Sequence, residues 1–466
     1  MSTAPVQNYA GVAKALYPAE GPGNQTFNNY ILLALCTIPQ AYAVFWVMGL
    51  GLYTYLFVSL FWAPTAFGLV MFASSYLAVP YRSRVEMPGK PVQSYIKILD
   101  PVMRETYAGS NRIPMETFFE AYFDGKIDLV EGRDCLEVFE HRHDWARFSL
   151  TWGQAKFFFF TWIPELIFRN QLEDEHRVRE TYDRGNDFYG AFLGESMVYT
   201  SGIISDPSKE ETLEELQENK LRLLCDKMAM KPGDRHLDIG CGWGTLVNYA
   251  AKNYATQSTG VSIAKHQIEY AEAKAKEAGI QEGQASFLCM DYRDMPESKY
   301  DKITCVEMAE HVGIRHFGTF LDQVRELLQD DGLFYMQVSG LRATWQYEDF
   351  IWGLFMARYI FPLADASTPL HWYIKQVENA GFEIKSVDTV GVHYSATLWH
   401  WYRNWMSNRA DIEAKYGKRW FRIFEVFLAW STIIARQGSA TCFQITAHKN
   451  RNDFDRAALI TKRLVA

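Results

Sequence analysis

The chain has 466 residues, 48% of them hydrophobic, and a formal net charge of −8 at pH 7. That length exceeds one typical domain and predicts two or three folded units. The acidic balance excludes nucleic acid as the main partner. Seven cysteines with no C-x-x-C pair and no regular framework suit a reducing compartment.

Residues 1–26 read as an N-terminal tail without a cleavable signal pattern. Residues 21–81 contain no Asp, Glu, Lys, Arg or His, and the segment 27–81 is long enough for two membrane crossings of about 20 residues each. Pro39 and Pro64 are kinks that membrane helices tolerate. A soluble hairpin would show a polar face, and this one does not. Arg82 and Arg84 follow directly, and the cytosolic bias of positive charge places that end in the cytosol. An even number of spans returns the N-terminus to the same side.

Residues 82–208 read as a linker with interfacial helices and an N-terminal cap. Their one histidine cluster, HRHD at 141–144, gives little support for a metal site. KFFFFTWIPELIFRN at 156–170 is too short and too closely flanked by charge to span. It fits either the membrane interface or a core.

Residues 209–466 read as one catalytic domain. KEETLEELQENKLRLLCDKMAM (209–230) is an amphipathic helix with charged i, i+4 partners. RHLDIG, STGVSI, ASFLCM, YDKITCV and LFYMQVSG then read as strands, with helical segments such as AKHQIEYAEAKAKEAG and HFGTFLDQVRELLQD among them. PLHWYIKQVENAG is a further helix, and FEIKSVDTV and TCFQITAHK are the last strands. The alternation predicts an α/β fold with a doubly wound, mostly parallel sheet and a ligand at the C-terminal strand ends. Two stretches exceed a minimal sheet, near 341–368 and 391–437, and eight of the fourteen tryptophans fall within 345–430. These aromatics fit either a lipid tunnel in a helical cap or a packed core beneath it.

HLDIGCGWGTLV (236–247) carries the first chemical signal. Glycines at 240, 242 and 244 lie between a strand and a helix, where bare backbone lets a ligand approach the free N–H groups of a helix start. The dinucleotide spacing G-x-G-x-x-G is not met, and no Gly-Lys-Ser/Thr follows. Asp238 just before the loop fits a ligand with a cationic or amine-bearing end. S-adenosylmethionine has an ammonium, a sulfonium and a ribose.

Six motifs in order then resemble the cyclopropane-fatty-acid synthase family of S-adenosylmethionine-dependent methyltransferases. They are YDRGNDFYGAFLGESMVYTSG (182–202), LDIGCGWG, GVSIAKHQ (260–267), DYRDM (291–295), EMAEHVG (307–313) and HYSATL (393–398). The likeness covers about 175–448. With the paired N-terminal spans, the chain is similar to the membrane-bound branch of that family, the fungal sphingolipid C9-methyltransferases. The resemblance implies a class I, Rossmann-like methyltransferase fold with a helical lipid-binding cap and a transmembrane hairpin. It implies that Tyr199, Thr200, Asp238, Gly240, Gly242, Gly244, Ser262, Gln267, Asp291 and Tyr292 hold S-adenosylmethionine. Gln267 would bond the ribose hydroxyls and Asp291 the adenine amino group.

The reaction implied is methylation of the sphingoid base of ceramide or glucosylceramide at its C8–C9 double bond, through a carbocation, with the alkene kept. Cyclopropane formation on an unsaturated acyl chain is the alternative, and an inactive cofactor-binding scaffold a remote one. In ring-forming relatives the base is thought to be bicarbonate, held by cysteine, glutamate, histidine and tyrosine. Carried over, those positions are Ser201, Glu310, Gln337 and Tyr394. Two of the four differ, which puts bicarbonate in doubt and leaves Glu310 or its neighbour Glu307 as the alternative base. His311 is expected to be structural. The implied setting is the endoplasmic reticulum membrane, with the catalytic domain in the cytosol.

Overall fold

The computed structural model describes residues 9–12, 29–77, 89–107, 109, 111–168, 184–362, 364 and 366–457. The chain divides into two compact units. One comprises 15–167 and 344–356, the other 1–14, 168–343 and 357–466. The break between the units falls at 168, and residues 344–356, within the stretch 341–368, belong with the N-terminal unit.

In the N-terminal unit, α1 (Asn29–Ala41) runs into a π-helical turn, Tyr42–Val47, and α2 spans Leu52–Leu77. Tyr30–Val47 and Leu52–Ser74 are each long and apolar enough to cross a membrane. Their large side chains point outward: Tyr30, Trp46 and Tyr53 are each more than four-fifths exposed. Pro39 supplies no N–H, so the carbonyl of Leu35, one turn back, loses its helical partner. The Trp62 indole of α2 donates to that carbonyl at 3.0 Å. Gln40 Nε2 donates to Ser59 Oγ at 3.2 Å, a second polar tie between the helices. Arg82 and Arg84, the expected inner flank, lie outside the described residues.

The described part of the aromatic run at 156–170 holds both packed and exposed rings. Phe157 and Phe158 pack with Met71, Leu150, Tyr347 and Leu354, whereas Phe160 is exposed. Phe159 lies so close to Gly68 of α2 that a Cβ there would sit 2.8 Å from its ring. In HRHD, Arg142 forms a buried ion pair with Glu348 and Asp144 accepts from Tyr95. Burial pushes His143 down to about 3, so its ring is neutral.

The second unit is built on a seven-stranded sheet. Its strands are β1 (Arg235–Ile239), β2 (Gln257–Ser262), β3 (Ala285–Cys289), β4 (Tyr300–Val306), β5 (Leu328–Leu341), β6 (Phe382–Thr389) and β7 (Ala440–Lys449). The spatial order is β6-β7-β5-β4-β1-β2-β3. β7 is antiparallel to both β5 and β6, and the other pairings are parallel. The order reverses beside β1, which places a crevice at the carboxyl ends of β1 and its neighbours. β1, β4 and β5 are buried along nearly all their length, as strands covered on both faces must be. The main core packs Leu237, Ile303, Met336 and Ile445 of the sheet against Phe320, Leu321 and Val324 of the helix Phe317–Leu327.

Three more helices surround the site. α3 (Leu213–Lys227) starts at a capping box between Thr212 and Glu215. α4 (Gly391–Ser407) and α5 (Lys418–Arg436) fall in the second expected insertion. Trp401, Trp405 and Trp430 there are fully buried, Trp405 against Phe188, Phe192, Phe421 and Phe424, and Trp401 against Phe192. For these tryptophans the packed-core reading holds, not the tunnel.

Candidate active site

The loop after β1 is pinned to β2, because Gly240 and Cys241 both donate to the Val261 carbonyl at 2.9 and 3.0 Å. Gly240, Gly242 and Gly244 all have positive φ, but for different reasons. A Cβ on Gly240 would lie 2.4 Å from Met308 Cγ. One on Gly244 would lie 2.4 Å from Ala271 Cβ and 2.7 Å from the Phe287 ring, so this glycine serves helix–sheet packing and does not line the cleft. A Cβ on Gly242 would meet nothing within 4 Å.

The other nine residues expected to hold the cofactor all line one cleft: Tyr199, Thr200, Asp238, Gly240, Gly242, Ser262, Gln267, Asp291 and Tyr292. Asp238 is buried and accepts from Thr304 Oγ1 at 2.6 Å. Burial pushes its carboxyl up to about 6, against the Thr304 bond and the charge of Lys220. Ser262 Oγ donates to Gln267 Oε1 at 2.9 Å, which fixes that amide. Asp291 caps the short helix Tyr292–Asp294 and binds Arg293 through both oxygens. Burial works to raise the Asp291 carboxyl, but the Arg293 contacts outweigh it and hold it below the usual range. A carboxylate has about four acceptor sites, so capping does not exhaust it.

Lys220 of α3 went unrecognised in the sequence because a lysine on an amphipathic helix reads as surface. It is buried on the cleft wall and donates to Thr200 Oγ1 at 2.8 Å. Burial lowers it to about 8, while Glu307 and Asp238 oppose the shift.

The four residues expected around the base do not meet on one another. Ser201, Gln337 and Tyr394 converge on the Glu307 carboxylate. Oε1 accepts from the Ser201 backbone N–H at 3.0 Å, Gln337 Nε2 at 2.7 Å and the Cys442 thiol at 3.6 Å, and Oε2 accepts from the Tyr394 hydroxyl at 2.9 Å. Ser201 thus contributes its backbone, since its hydroxyl bonds the Gly202 carbonyl. Glu307 lines the cleft; Ser201, Gln337 and Tyr394 stand behind it. Glu310 is turned away: Oε1 accepts from Ser339 N at 2.5 Å, and buried Oε2 has no partner among the described residues. Burial first, and Glu307 second, push the Glu310 carboxyl up to about 8. His311, expected to be structural, lines the cleft.

This strand order, with a cleft over the glycine loop of β1, defines a class I S-adenosylmethionine-dependent methyltransferase. Residues 169–445 match the family described as mycolic acid cyclopropane synthetase. Sphingolipid C9-methyltransferase 2 of Gibberella zeae is 52% identical over 459 residues, 97% of this chain and 87% of that protein. Sphingolipid C9-methyltransferase of Komagataella phaffii is 49% identical over 465 residues, 98% of this chain and 94% of that one. The solved mycolic acid cyclopropane synthase CmaA1, complexed with SAH and CTAB, shares the fold with a TM-score of 0.55 and 22% identity, over 59% of this chain and 98% of its own. The chain belongs to the sphingolipid C9-methyltransferase family.

Proposed function

We propose that this protein methylates C9 of the sphingoid base of ceramide or glucosylceramide at its C8–C9 double bond and keeps the alkene. The observation that carries the reading is a half-buried carboxylate, Glu307, held by four donors on the wall of the cofactor cleft. S-adenosylmethionine, when bound, supplies an electrophilic methyl group on a sulfonium. The cleft fits it: Gly242 offers open backbone at φ +53°, and Asp238 offers a buried carboxylate for the ammonium. Ser262 and Gln267 would take the ribose side, and Asp291 and Tyr292 the base.

An isolated alkene that accepts a methyl cation becomes a carbocation on the neighbouring carbon. The Tyr199 ring lines the cleft beside Phe361 and Trp401, at 5.6 and 5.3 Å, and offers an aromatic face to that charge. Glu307 is a fixed negative partner, and a preorganised charge in a dry site stabilises such a cation strongly. The relatives' names support the sphingoid substrate. The two apolar helices support an integral membrane protein, which we assign to the endoplasmic reticulum with its catalytic unit in the cytosol.

The test is expression in cells that make Δ8-unsaturated glucosylceramide but lack the methyl branch. Mass spectrometry should find a sphingoid base one CH2 heavier, and ozonolysis should still cleave it at C8–C9. A base that resists ozonolysis there, or a methyl group appearing only on acyl chains, would overturn the proposal.

A further inference from the structure

Glu307 has φ +55°. A non-glycine side chain in the left-handed region costs on the order of 1 kcal/mol and persists only where its surroundings hold it. Here they do. The amide of Gln337 has only one workable orientation: Lys227 Nζ donates to Gln444 Oε1 at 2.7 Å, so the Gln444 NH2 faces Gln337 Oε1 at 3.0 Å, and the Gln337 NH2 must face Glu307. Tyr335 OH adds a second donor to Gln337 Oε1 at 3.1 Å. With Ser201 N–H and Tyr394 O–H, these donors form a cradle for a planar O–C–O anion, and the protein's own side chain fills it. A second anion would have to displace that carboxylate or lie against its charge. The residues expected to hold bicarbonate therefore do not fit it in this chain.

We infer that the Glu307 carboxylate is a built-in proton acceptor and that the reaction uses no exogenous anion. This rests on the proposed methylation of a C8–C9 alkene. The π pair of that alkene forms the new bond from C9 to the methyl carbon, and the methyl–sulfur bond breaks with its pair left on sulfur. The cation at C8 is quenched when the C9–H pair re-forms the double bond and the proton passes to a Glu307 oxygen. The ring-closing course would instead take the proton from the new methyl group. One side chain fixed to the chain at the cleft wall selects one of these two protons, which a diffusible ion need not do.

The test uses the full chain in detergent or nanodiscs, with Glu307→Gln and Glu307→Gly. Glycine suits φ +55°, so Glu307→Gly relieves backbone strain and leaves the donors of Ser201, Gln337 and Tyr394 facing an empty cradle. Wild-type turnover should be the same in CO2-stripped buffer and in added bicarbonate. Glu307→Gln should lose about 10²-fold or more, the scale of a general base, while its affinity for S-adenosylmethionine is kept. Bicarbonate should restore turnover to Glu307→Gly in a saturable way. With no lipid present, ¹³C-bicarbonate should bind Glu307→Gly and not wild type by NMR. That arm reads the cradle even if the sphingoid substrate is wrong, whereas the lipid analysis reads the substrate alone. Wild-type dependence on bicarbonate, bicarbonate binding by wild type and Glu307→Gly alike, or undiminished turnover by Glu307→Gln would each overturn the inference.

Discussion

Glu307 and Glu310 stand three residues apart in one motif and meet opposite surroundings. Glu307 receives four donors, whereas Glu310 receives the Ser339 N–H on one oxygen and keeps the other buried with no hydrogen-bond partner among the described residues. Burial therefore favours the neutral form of Glu310, whose carboxyl rises from 4.5 to about 8. Between those values the folded protein holds a proton that the unfolded chain has lost, so stability falls as pH rises across that window. Glutamine imitates the neutral carboxyl. We expect Glu310→Gln to melt higher than wild type at pH 8, with the gap closing towards pH 4.5. Melting curves of the detergent-solubilised pair check this, and a wild type equally stable at both ends relative to the variant would refute it. The glycines separate in the same way. Gly242→Ala should fold at a cost of about 1 kcal/mol and lose cofactor affinity, because its methyl group enters open cleft. Gly240→Ala should instead lose stability through Met308, a fault that melting detects before any ligand is added. The sequence already pointed to bare backbone here, because strand, glycines and helix start are local. It gave no sign of which glycine faces a ligand, because Met308, Ala271 and Phe287 reach the loop only through the fold.

At the scale of elements, each proline inside an apolar helix must leave a carbonyl to be satisfied elsewhere. Pro39 leaves Leu35, and Trp62 answers from the other helix. In a bilayer no water can replace that bond. We expect Trp62→Phe to destabilise the α1–α2 pair by about 1 kcal/mol, within the range of interhelical hydrogen bonds in membranes. On a Pro39→Ala background the same change should cost much less, because residue 39 then supplies its own N–H to Leu35. Unfolding of the four variants in mixed micelles gives the coupling, and additive costs would rule out the proposed bond. The hairpin was plain from its uncharged length, and the strands from their buried runs between charged helices. Lys220 was not, because a lysine on an amphipathic helix reads as surface, and only the bond to Thr200 and the nearness of Glu307 and Asp238 show which lysine is inside. The tryptophans of α4 and α5 misled for the opposite reason: aromatic density has the same signature in a tunnel wall and in a packed core.

For the whole molecule, the connectivity constrains the membrane topology without the charge argument. Residues 9–12 belong to the same compact unit as the sheet. Tyr9 and Val12 pack with Leu216 and Ala396, the Tyr9 hydroxyl donates to the Glu211 carbonyl at 2.9 Å, and a Cβ on Gly11 would lie 2.7 Å from Ala396 Cα. Residues 9–12 thus belong to the catalytic unit, the two apolar helices follow them in sequence, and from residue 168 the chain is again part of that unit. If the helices cross a bilayer, they must cross it an even number of times for residue 9 to reach α4. One crossing would put Tyr9 and Glu211 on opposite sides, across about 30 Å of hydrocarbon. We therefore expect tags at both termini to be digested by protease added to sealed microsomes, and a glycosylation acceptor placed in the turn at Gly49–Gly51 to be modified in the lumen. One tag protected and the other cleaved would refute the two-span hairpin. The same packing predicts that Gly11→Val, which is not among the residues that line the cofactor cleft, destabilises the catalytic unit by roughly 1–3 kcal/mol through overpacking against α4. A variant truncated before residue 13 should be destabilised in the same sense, and thermal melting of either protein in detergent decides it.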